Sequence, residues 1–84
     1  MKLYEYKTRA MIALMNYEPK NPRERQLIDM LMIKINNLRA VTLPRLLMDI
    51  YEIIHHENVS EEFKQVLKKL IPSEEEAREL IEDG

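Results

Sequence analysis

"NPRERQLIDMLMIKINNLRA", residues 21–40, decides how this chain folds. Asn21 can cap a helix with its side-chain oxygen. Pro22 suits the first helical position, where no N–H is needed, and Glu24 stands three residues after the cap, as in a capping box. Behind this start, Leu27, Ile28, Leu31 and Ile35 recur at helical spacing, with Met30, Met32 and Ile33 between them. The pattern predicts a helix from Pro22 to about Leu38–Ala40 that is apolar nearly all round. Such a helix needs cover on several sides. It either takes the centre of a bundle or gives a face to another molecule.

The segments on either side read as helices too. Upstream, Leu3, Ala10, Leu14 and Tyr17 share one helical face from Lys2 to Tyr17, with Tyr4, Met11 and Met15 widening the stripe and Ile12 on the polar side. "EPKNP" ends that helix, because proline lacks a donor and biases the residue before it away from helical geometry. Downstream, "VTLP" restarts the chain, with Thr42 as the expected cap and Pro44 in the first turn. Leu43, Leu46, Leu47, Ile50, Tyr51 and Ile54 form the apolar side of this third helix. It should close near Glu57, with Asn58 in the left-handed conformation that ends helices. Ser60 opens a fourth helix with Phe63, Val66, Leu67, Leu70 and Ile71 inward, and Pro72 stops it. Ser73 and Glu76 make a second capping box for a fifth helix, whose apolar face is only Ala77, Leu80 and Ile81. The predicted fold is all-α: one domain over residues 1–84, a small compact bundle of about five short helices.

Composition supports this reading. Of 84 residues, 45% are hydrophobic and 33% charged, which is apolar enough to build a core. A single glycine argues against the many turns of an all-β chain. The absence of cysteine removes disulfides, thiolate zinc sites and a thiol nucleophile. The N-terminal stretch lacks the uninterrupted apolar run of about 7–15 residues that a secretory signal needs. The most apolar run, residues 27–35, is broken by Asp29 and Lys34 and is far short of the ~20 residues that span a bilayer. A cytoplasmic protein with no membrane role is expected.

"YEIIHHENVSEEF", residues 51–63, raises the question of a metal site. Glu52 precedes His55 by three and His56 by four, and di-iron bundles use such Glu-x-x-His pairs. They need two pairs and two further glutamates, however, and adjacent histidines point about 100° apart on a helix. A histidine in a last turn serves free carbonyls and the negative end of the helix dipole. The stretch therefore reads as a helix end, with no metal and no cofactor. Ser60 and Ser73 read as caps, and Gly84 is the sole glycine, so neither a nucleophile with its base nor a phosphate-binding loop can be assembled. No catalytic residue is expected.

Charge is divided along the chain. Residues 1–45 hold nine lysines and arginines against four acids, a net of +5; residues 46–84 hold four against eleven, a net of −7. Such a division suits either a charged partner or an acidic tail packed along a basic face. The third and fourth helices are spaced like a helix-turn-helix, but Glu61 and Glu62 stand where that motif meets phosphates. The chain holds six methionines and one phenylalanine. Met11, Met15, Met30, Met32 and Met48 all fall on helices, and methionine serves both irregular cores and adaptable binding faces. In outline, "RQLIDMLMIKI" followed by "VLKKLIPSEEEARELI" resembles the helical knob of formin homology-2 domains, which would imply actin as partner. The tryptophans and the glycine–asparagine signature of that domain are absent here.

Two functions follow as expectations. The first is a small non-catalytic adaptor, inhibitor or regulatory subunit that binds another protein or a second copy of itself, as a homodimer. It would use Met30, Met32 and Ile33, which lie off the main stripe of the second helix. The second is a nucleic-acid-binding regulator that uses Lys20, Arg23, Arg25, Arg39 and Arg45.

Overall fold

The computed structural model describes residues 1–83. Five α-helices follow in order: α1 (Leu3–Met15), α2 (Pro22–Asn36), α3 (Leu43–His56), α4 (Glu61–Leu70) and α5 (Glu74–Asp83). A single 3-10 turn, Ala40–Thr42, leads into α3. The described residues form no strand, so the fold is an all-α small bundle, as the periodicity predicts.

The helix starts are set mostly by the residues that sequence reading singles out. Asn21 Oδ1 accepts from the Glu24 N–H at 2.9 Å, and Ser60 Oγ accepts from the Phe63 N–H at 3.2 Å. At α5 the capping box is complete: the Glu76 N–H donates to Ser73 Oγ at 3.1 Å and the Ser73 N–H to Glu76 Oε1 at 3.0 Å. Not every local expectation holds. Thr42 makes no side-chain cap for α3, because the 3-10 turn turns its hydroxyl back onto the Arg39 N–H and carbonyl. α3 closes at Glu57, where its end is expected, but through an extended Glu57 and not a left-handed Asn58, since no described non-glycine residue has positive φ.

α1 packs along α2 and touches α4; α3 packs against α2 and α4; α5 lies against the 3-10 turn. One apolar cluster draws on all five helices, with Leu14, Leu31, Ile35, Leu43, Leu46, Ile50, Phe63, Leu67 and Leu80 fully buried. The radius of gyration of 12.3 Å matches the ~12 Å of a compact chain of this length. On α1 the expected stripe holds in Ala10 and Leu14, with Leu3, Met11 and Tyr17 packed against the core, but its margin differs. Tyr6, Ala10 and Leu14 point inward, and the Tyr6 hydroxyl donates to the Leu70 carbonyl at 2.6 Å. Burial pushes that hydroxyl up to about 12. Tyr4 and Met15, expected to widen the core stripe, are 69% and 68% exposed. On α3, Ile53 takes the inward place expected of Tyr51.

Candidate functional site

Among the described residues Glu24 is the one charged residue sealed in the interior, with none of its surface exposed. It does not reach back to its own cap as a capping box requires. One carboxylate oxygen accepts from the Tyr17 hydroxyl at 2.6 Å and the Lys20 N–H at 2.8 Å; the other accepts from the Ser60 N–H at 2.7 Å. Tyr17 has one proton and gives it to Glu24. The Ser60 hydroxyl, 2.9 Å away, must therefore donate to Tyr17 while accepting from the Phe63 N–H. Burial by itself raises the Glu24 carboxyl, but these donors outweigh it and hold it down at about 2. Beside it, the Arg23 guanidinium grips both oxygens of Glu57 at 3.0 and 2.8 Å and lowers that carboxyl too. The cluster ties the α1–α2 loop, the start of α2 and the α3–α4 connection together.

That cluster also disposes of part of the basic set. Arg23 is held by Glu57. Lys20 and Arg25 are exposed near the start of α2, whereas Arg39 and Arg45 lie beyond its end. Fifteen helical residues, about 22 Å of axis, separate the two groups, so the five cations form no single patch.

His55 and His56 occupy the last turn of α3 and are exposed. The His55 ring stacks on that of Tyr51, centroids 6.2 Å apart and planes within 3°. Among the described residues no group of three or more His, Cys, Asp or Glu side chains is arranged to hold a metal ion.

The three expected contact residues of α2 separate in the structure. Leu27, Ile28, Leu31 and Ile35 are buried, and Met30 and Met32 pack against the core from its two margins. At about 100° per residue the two methionines lie about 160° apart on the helix. Ile33 is 64% exposed. The apolar girth of α2 is thus a buried arc with a half-buried methionine at each margin, and one isoleucine left in water.

Ile33 does not stand alone. With Lys34, Asn37 and Leu38 from the end of α2 it faces Thr42, Arg45, Leu46 and Asp49 across a groove of about 270 Å³. Leu38 and Leu46 are buried beneath it. Lys34 and Asp49 form an ion pair across the groove. The guanidinium of Arg45 has no ion-pair partner among the described residues, and neither has that of Arg39 on the adjoining turn. Sequence reasoning placed Ile33 in a protein interface and Arg45 on nucleic acid; the fold puts both in one groove. The connection missed is the sharp 3-10 turn, which brings α3 back beside the end of α2.

Two further apolar strips face outward. On α1, Tyr4, Thr8, Ile12 and Met15 share one side; on α3, Met48 and Tyr51 do. Exposed apolar residues scattered singly need no explanation, but strips in helical register mark faces. Among the described residues no helix is long and apolar enough to cross a membrane. No protein-family model matches the chain, and no curated protein and no solved structure matches it.

Proposed function

We propose that this chain is a small non-catalytic protein that binds another protein through apolar side chains on its helices. One observation supports the reading above the rest: the groove between α2 and α3 combines buried leucines, an exposed Ile33 and an unpaired Arg45. Interface centres favour this mixture of apolar side chains and arginine. The cytoplasm is the proposed compartment, since a cysteine-free chain loses nothing under reducing conditions. Nucleic acid is the second reading. It rests on the net positive charge of residues 1–45, and the dispersal of the five cations weakens it.

Affinity capture with the immobilised chain tests the proposal at low and moderate salt. Retention of one protein in stoichiometric amount, lost when Ile33 is changed to Asp, is the expected result. Salt-sensitive retention of DNA or RNA, or retention of nothing at all, would overturn it.

A further inference from the structure

Three surfaces compete as the docking site: the outward strip of α1, the Met48–Tyr51–His55 corner of α3 and the groove between α2 and α3. The first two are strips on single helices, and nothing around them selects an occupant. The groove differs, because its floor and its rim make different demands. We infer that it receives an amphipathic helical segment of a partner protein. That segment sets a large apolar side chain on Leu38 and Leu46 and an acidic side chain against Arg45. The inference rests on the protein-binding reading above and names the place and chemistry of the contact.

The size of the groove fits a side chain better than a free ligand. Its 270 Å³ equals about nine waters, below the ~300–1,000 Å³ of sites that enclose small molecules. Charge then selects the partner. Lys34 is neutralised by Asp49 across the groove, which leaves Arg45 as the charge on the rim that has no ion-pair partner among the described residues. The first turn of α3 contains no acidic residue, so the positive end of its dipole reinforces Arg45. A carboxylate seated there gains a charge-assisted, bidentate bond. A phosphate backbone fits less well, because the floor is leucine and Asp49 forms part of the wall. A second copy is disfavoured too. Its acid-rich segment is α5, which already packs against the 3-10 turn of its own chain with Leu80 buried.

Selection from a displayed library of helical peptides about 16 residues long (about 24 Å), on the immobilised full chain, tests this. The enriched peptides should carry Asp or Glu within one turn of a Leu, Ile, Met or Phe. A synthetic peptide from the pool should lose about tenfold or more in affinity to Arg45→Glu and to Ile33→Asp, and little to Tyr4→Asp. Exchanging the peptide's acid for lysine should restore binding to Arg45→Glu, a gain that misfolding cannot mimic. Peptides that are basic, or whose binding survives both groove substitutions, would overturn the inference. Loss on Tyr4→Asp alone would move the site to α1 and leave the protein-binding reading standing. Enrichment of no peptide, together with capture of no protein, would remove both.

Discussion

Glu24 shows what a single residue contributes when its environment departs from its local pattern. Its spacing from Asn21 is that of a capping box, yet the carboxylate turns inward to gather donors from Tyr17, Lys20 and Ser60. Tyr17 and Lys20 are close in sequence but lie outside residues 21–24, and Ser60 is brought in by the fold alone, so no reading of residues 21–24 could have found it. Because the folded carboxyl sits at about 2 against an ordinary 4.5, its contribution to stability is full above pH 4.5. It is lost as pH falls from there through about 2. Glu24→Gln places an amide against three donors and should cost about 2–3 kcal/mol at pH 7. Urea unfolding between pH 2 and 6 checks both statements. The natural chain should lose stability through that window more steeply than the variant. Equal slopes would mean that the carboxylate is not held as described.

Among the elements, α5 depends most on one side chain. Its apolar face is thin, as the sequence indicates, and the fold seals Leu80 while leaving Ile81 half exposed. A polar tie adds to it: the chain's amino terminus pairs with Glu79. Leu80→Ala should therefore cost about 2–3 kcal/mol, at the low end for a buried leucine because the helix can detach. Hydrogen exchange should show α5 amides losing protection while those of α2 and α3 keep theirs. Loss of protection spread evenly over all helices would instead make α5 part of the cooperative core. Helix identity and most start signals were legible because caps and 3.6-residue spacing are local. The inward place of Tyr6 was legible too, since it stands three residues after Leu3 and four before Ala10, and widening the stripe to Tyr4 and Met15 instead was a misjudged margin. What no local reading shows is the Leu70 carbonyl across the bundle that takes the Tyr6 hydroxyl.

At the scale of the whole molecule, two expectations change weight. The bundle buries the main stripe of α2 within one chain, which leaves only Ile33 and the margins at Met30 and Met32 as the sequence-based reason for a homodimer. The outward strip of α1, about 20 Å long and 10 Å wide, offers about 200 Å² against the ~800 Å² per partner of a stable interface. Light scattering at tens of micromolar should accordingly give the mass of one chain, and a dimer mass would restore self-association. The division of charge is partly internal, since Glu79 of acidic α5 pairs with the amino terminus. The groove was hidden from sequence reading because α2 and α3 each supply half of it, and a three-residue 3-10 turn brings the halves together. It can be watched directly by methyl-resolved NMR of the full chain while a peptide chosen by the display selection is added. Shifts concentrated on the methyls of Ile33, Leu38 and Leu46 are predicted, with those of Ile12 and Met15 unmoved. Shifts confined to the α1 methyls, or no shift at saturating peptide, would contradict the assignment of the groove as the working surface.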